Sequence, residues 1–245
     1  MMYLDPTHMS QWKQICTIQP KKGAKGVLNY LSIDGMKILL EQINITTLRG
    51  RRNLTMLSFL YNSAMRVGEL INLTPSNLRL SKPCMVEVLG KGNKKRLIPL
   101  DDSMVNLINR YMQENGLDQI SKANHPLFYN GRGQKLTRPG IQYIIDKYAD
   151  MAREQHPELI PKELSPHCFR HSKAMHLLQA GVNLIYIRDI LGHVSIETTQ
   201  VYTRIDSAHK RAALESAYEK VGITPPQLTS WEKDPKLKAF LKSLG

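Results

Sequence analysis

Four separated stretches of this chain hold polar side chains that an ordinary apolar core would not require. They are Arg66 in YNSAMRVGEL, Lys91 in LGKGNKKR, His167 and Arg170 in SPHCFRH, and His193 with Tyr202 in LGHVSIETTQVYT. Each alone has a blander explanation, since an Arg at a helix end is usually a solvated or capping group and a Lys in a turn is usually exposed. In order, they describe a site for phosphoryl transfer without a metal. Two guanidinium forks can hold the non-bridging oxygens of a phosphodiester and neutralise the charge that grows in a pentavalent transition state. A tyrosine hydroxyl titrates near pH ~10 in water, so as a nucleophile at neutral pH it needs a proton acceptor, and imidazole is suited to that work. The leaving sugar oxygen needs a proton in turn. Lys91 lies between Gly90 and Gly92 on a hairpin turn where a DNA strand can approach the backbone, and it is a candidate donor.

His167 and His171 stand at i and i+4, a spacing that zinc proteases use for two ligands. The residues between them include Arg170 and lack the Glu that would activate water, and no third ligand is implied. A cation there would repel the guanidinium one turn away, so a metal site is not expected.

The elements that must position these side chains are mostly helices. Ser32 caps a helix carrying Met36, Leu39, Leu40 and Ile43, and a second helix from about Arg49 carries Leu54, Leu57, Leu60 and Tyr61. MVEVLGKGNKKRLIPL places two β-prone segments around a glycine-containing turn, a hairpin signal. Met104, Leu107, Ile108, Tyr111 and Met112 return to helical spacing, with Gly116 as the stop. Thr137 with Pro139 opens another helix, Pro166 opens one that Gly181 ends, and Asn183 caps a short one closed by Gly192. A helix from Asp206 to about Val221 follows, then Pro225 and Pro226. The fold class is therefore mainly α with a small antiparallel β-hairpin or sheet. Residues 1–28 read as a linker or arm, 29–222 as the catalytic domain, and 223–245 as a tail. In the tail, Leu237, Phe240, Leu241 and Leu244 form one stripe of a short amphipathic helix.

Composition agrees with a polyanionic partner. Thirty-four Lys and Arg against twenty-one Asp and Glu leave a formal charge of +13, which favours nucleic acid over neutral or acidic partners. Cys16, Cys84 and Cys168 show no paired spacing, so neither a disulfide framework nor a cysteine zinc site is indicated, and a reducing cytoplasm fits. No apolar run is long enough to span a bilayer, and MMYLDPTHMSQWK does not resemble an export signal.

With its boxes in this order, the chain resembles the catalytic domain of the tyrosine recombinases, the phage-type integrases, over roughly Tyr30 to Ala217. RHSKAMHLLQAGVNLIYIRDILGHVSIETTQVYTRI is especially similar to the last box of that family. The resemblance implies that Arg66 and Arg170 clamp the scissile phosphate of double-stranded DNA. Lys91 would protonate the leaving 5′-oxygen, Tyr202 would form a 3′-phosphotyrosine, and His167 would be the base. His193 would hydrogen-bond the same phosphate, and Glu69 would orient the region of Arg66. Lys94, Lys95 and Arg96 are expected to contact the DNA backbone. No cofactor, metal or ATP is needed, because the protein–DNA bond conserves the energy for rejoining. The family further implies a homo-tetramer on DNA in which residues 223–245 dock on a neighbouring copy.

Two departures from the family pattern stand out. Ala64 occupies a position where the family usually has Gly, two residues before the first Arg. The family's usual N-terminal core-binding domain has no counterpart in residues 1–28, which read as a remnant of the connection to it. Competing readings are a type IB topoisomerase, with similar Tyr, Arg and His chemistry, and a DNA-binding module that does not cut. The short spacing from Leu-Gly-His to Tyr favours a recombinase over the first, and the complete set of site residues argues against the second.

Overall fold

The computed structural model describes residues 29–90, 94–193, 198–200 and 202. Its first helix, α1 (Ile33–Glu41), begins at Ser32, whose hydroxyl accepts the Gly35 N–H at 3.0 Å. Helix α2 (Leu48–Ser63) starts with the Thr47 hydroxyl accepting from Gly50. It is the central helix: Met56, Leu57, Phe59 and Leu60 have no exposed surface, and it packs against α4 (Asp102–Glu114) and α6 (Pro166–Gln179). A short α3 (Val67–Ile71) follows directly, and the 18-residue α5 (Arg138–Gln155) packs on α1, α3 and α6. Helix α7 (Leu184–Leu191), capped by the Asn183 side chain, lies against α6 and the sheet. Thr198, Thr199, Gln200 and Tyr202 have helical backbone.

The expected hairpin is part of a three-stranded antiparallel sheet, β1 (Leu78–Arg79), β2 (Met85–Leu89) and β3 (Lys95–Pro99). Val86 pairs with Ile98 and Val88 with Arg96. Because side chains alternate across a strand, Val86, Val88 and Ile98 enter the core on one face, and Arg96 shares that face with Ile98. The two-residue β1 and the short α3 have too little periodicity to be seen in the sequence.

Two buried clusters result among the described residues. The larger spans α1, α2, the sheet, α4, α5 and the start of α6. The smaller joins Ala64, Ala174, Met175, Ile187, Leu191 and Tyr202, so the candidate nucleophile packs into the core of its own chain. Among the described residues no helix is long and apolar enough to cross a membrane. Lys91, the arm 1–28, the helix expected from Asp206 and the tail 223–245 lie outside the described residues.

Candidate active site

The break between α2 and α3 builds the first half of the site. Ala64 ends α2 in the left-handed conformation, φ 49° and ψ 25°. It is therefore not the helix-favouring alanine that its residue type suggests: its position is one where a Cβ is disfavoured and Gly is easier. The turn it makes sends the chain into an extended Arg66 (φ −76°, ψ 150°), from which α3 departs. Glu69, one turn on, folds back to accept the Arg66 backbone N–H at 2.7 Å and the Arg66 Nη1 at 3.1 Å. Its two oxygens also accept from Arg96 Nη1 and Nη2 at 2.9 and 2.7 Å, a bidentate pair. Burial alone would raise the Glu69 carboxyl, but the hydrogen bonds from Arg96 and Arg66 and the Arg96 charge outweigh it and hold the group below the usual carboxylate range.

Arg170 builds the second half. It is only 3% exposed. Nη1 donates to the Ala64 carbonyl at 2.8 Å and Nη2 to the Leu191 carbonyl at 2.5 Å. These are the C-terminal ends of α2 and α7, where unpaired carbonyls and the helix dipole favour a cation. Burial, then the nearby Arg66 charge, lowers its pKa to about 10, so it stays charged at neutral pH. Arg170 also lines the cavity described below, where its remaining N–H groups can meet an anion.

Gly192, just beyond α7, has φ 63°, and a Cβ there would come within 3.0 Å of the Arg96 side chain. Both facts call for glycine in Leu-Gly-His. The left-handed turn lets the chain leave α7 at His193, whose Nδ1 meets the Thr199 hydroxyl at 3.0 Å. Thr199 is fully buried, which ties the Tyr202 turn to His193. Tyr202 is 2% exposed, and its hydroxyl lies 2.9 Å from His171 Nδ1. Burial raises the phenol above its ordinary value, with the Arg170 charge opposing. Burial, then the charges of Arg170 and Arg66, lowers His167. Burial with His167 and Arg170 takes His171 to about 4, and burial with Arg170 and Arg66 does the same for His193. All three imidazoles are neutral at pH 7 and can accept protons or hydrogen bonds.

One cavity of about 460 Å³ gathers these groups, lined by Arg66, His167, Arg170, His171, His193 and Tyr202 together with Thr198. A larger one of about 590 Å³ shares Arg66 and His167 with it. That second cavity extends past Arg138 to Glu87 and Gly90, the residue before Lys91.

The structure departs from the sequence expectations at two residues. The histidine that meets the Tyr202 hydroxyl is His171, not His167. Arg96, expected to face DNA, has a 13%-exposed side chain engaged by Glu69 and by the Ile190 carbonyl at 3.2 Å. Its parity with Ile98 on β3 is the sequence signal that would have shown this. Lys94 is exposed, and Lys95 is exposed and paired with Glu87 at 2.9 Å. Tyr186, on α7, is 65% exposed and does not line the cavity. Arg138, beside the second cavity, was not singled out in the sequence because a helix-start arginine looks ordinary.

Residues 29–209 match the phage integrase family. The chain belongs to the phage integrase family. Within that family, tyrosine recombinase XerD of Staphylococcus epidermidis is 38% identical over 196 residues, covering 79% of this chain and 64% of the relative. The putative integrase/recombinase y4rC of Sinorhizobium fredii is 32% identical over 98% of this chain and 70% of its own length. The chain thus spans less than two thirds of the XerD relative. Among solved structures, the XerA recombinase matches with a TM-score of 0.64 at 28% identity, covering 85% of this chain and 68% of that one. The fold is also that of XerH site-specific recombinase, solved bound to difH substrate, with a TM-score of 0.65 at 24% identity over 80% of this chain. The integrase catalytic fold accounts for the helices and the small sheet.

Proposed function

We propose that this chain is the catalytic part of a site-specific DNA recombinase, cutting and rejoining double-stranded DNA through a 3′-phosphotyrosine at Tyr202. The observation that carries this is the single cavity where Arg66, His167, Arg170, His193 and Tyr202, drawn from three distant stretches of sequence, face one another. Arg66 and the remaining N–H groups of Arg170 bind the non-bridging oxygens, with His193 as a further hydrogen-bonding group and His167 beside them in the cavity. Lys91 protonates the leaving 5′-oxygen. Lys94, Lys95 and Arg138 meet the neighbouring backbone. The two guanidinium groups supply the charge stabilisation for which other phosphoryl-transfer sites use a cation. Four copies assemble on DNA, coupled through residues 223–245, and the DNA substrate puts the work in the cytoplasm.

The test is trapping on nicked duplexes, where loss of the short cut strand leaves the enzyme covalently attached. The full chain should give a denaturation-resistant adduct mapping to Tyr202, undiminished by excess chelator. Tyr202→Phe should give none while still binding DNA, because the ring keeps its place in the smaller core cluster. An adduct formed by the Phe variant would refute the assignment. Relaxation of supercoils without exchange between sites would move the reading to a topoisomerase.

A further inference from the structure

The smaller core cluster accounts for the Tyr202 ring, but it does not account for where the hydroxyl goes. At the edge of an open cavity a phenol can be satisfied by water; here it meets a ring nitrogen instead, His171 Nδ1 at 2.9 Å. The other imidazoles nearby are placed differently. His193 uses Nδ1 on Thr199, His176 uses Nδ1 on Tyr61, and His167 lines both cavities. Helix α6 explains the division: His167 and His171 are one turn apart, with ring centroids 6.2 Å apart, and the Tyr202 ring is 5.8 Å from that of His171.

We propose that His171 is the proton acceptor for Tyr202, a role that rests on the recombinase reading above. The buried phenol holds its own proton at neutral pH, so it is the donor, and the hydrogen of His171 sits on Nε2. As the Tyr202 oxygen bonds to phosphorus, its proton passes to His171 Nδ1. The bond from phosphorus to the 5′-oxygen breaks, and that oxygen takes a proton from Lys91. In rejoining, the 5′-hydroxyl attacks and gives its proton back to Lys91, the bond from phosphorus to Tyr202 breaks, and His171 returns its proton to the phenolate. The charged and titratable groups around His171 are His167 and Arg170 on α6, Tyr202 itself, and Arg66 and His193 across the cavity. Burial first, then the neighbouring His167 and Arg170, keep His171 neutral. A phosphate anion held by Arg170 offsets the Arg170 charge and strengthens the base as the substrate arrives.

The experiment uses the full chain and a pool of nicked duplexes of randomised sequence, scoring the rate of covalent attachment. His171→Ala, and His171→Gln, which can accept a hydrogen bond but not a proton, should both slow it about 10²–10⁴-fold, the usual range for a general base. Replacing Tyr202 by the more acidic 2,3,5-trifluorotyrosine should restore most of that loss in either variant while changing the parent little. A merely positional role predicts that the loss is indifferent to phenol acidity, and that result overturns the proposal. So does a near-parental rate for His171→Gln, which also decides the matter if His171→Ala folds poorly. If the parent forms no adduct, or Tyr202→Phe still does, the recombinase reading itself fails. If those controls behave and only the His171 variants are unaffected, the inference alone fails.

Discussion

Glu69→Gln tests whether the carboxylate under Arg66 holds the site together. Glu69 is 7% exposed and accepts four hydrogen bonds, two per oxygen, from Arg66 and Arg96. A Gln amide keeps one acceptor oxygen but turns an NH₂ toward donors, so two bonds are lost. Arg66, 38% exposed, can turn to water, whereas Arg96 at 13% cannot. Hydrogen bonds to charged groups are worth roughly 1.5–3 kcal/mol each, and leaving a buried ion unpaired costs about 3–5 kcal/mol. Because Arg66 relaxes, the expected loss is about 3–4 kcal/mol, near the lower end of the buried-ion range. In urea melts that lowers the midpoint by at least ~1 M for an m-value of 1–3 kcal/mol/M. Since the Glu69 pKa is lowered on folding, its contribution is complete above the unfolded carboxyl pKa and fades as pH falls through the folded one. The gap between parent and Gln variant should therefore close in acid. Adding Arg96→Met should cost less than the sum of the single changes, as the unpaired charge is removed. A midpoint shift below the equivalent of ~0.5 kcal/mol, or a gap that stays constant into acid, would refute the reasoning.

Ala64→Gly should relieve roughly 1–2 kcal/mol of left-handed strain against about 0.8 kcal/mol for a buried methyl. A small gain in unfolding midpoint is expected, with a clear loss for the β-branched Ala64→Val; a Gly variant much less stable than the parent contradicts the backbone assignment. Gly192→Ala meets both a positive φ and the Arg96 side chain at 3.0 Å. It should cost about 1–3 kcal/mol and slow cleavage; an unchanged melt would show that Arg96 moves aside freely. His171 and His193, both lowered to about 4, bind fewer protons folded than unfolded between their ordinary and folded values. Their contribution is complete above about pH 6.5 and is lost as pH falls toward 4, so the double variant His171→Gln, His193→Gln should show a shallower fall in stability from pH 7 to pH 5, measured by denaturant titration at each pH.

The caps and stops were legible because they are local chemistry: Ser32, Thr137, Asn183, Gly116 and Gly192 act where their side chains or backbone freedom suggest. Arg66, Arg170, His193 and Tyr202, which the structure brings to one cavity, could be picked out together because few reactions call for that set of types. The left-handed turn at Ala64 was not legible from the alanine itself, because φ there is set by the angle between α2 and α3. His171 was passed over as a base because neighbours on one helix differ only in which of them faces a turn thirty residues later. Arg96 looked like one more cation in a basic hairpin until strand parity assigned its face.

Arg170 joins the ends of α2 and α7 through two backbone carbonyls and also lines the cavity. This constrains how such a protein can lose its activity. Removing Arg170 leaves the Ala64 and Leu191 carbonyls without this donor, so it should cost stability as well as the site. Removing only the Tyr202 hydroxyl leaves that strap in place. On the recombinase reading, degenerate copies that still fold should therefore carry substitutions at Tyr202 far more often than at Arg170, and a survey of degenerate homologous sequences can count them.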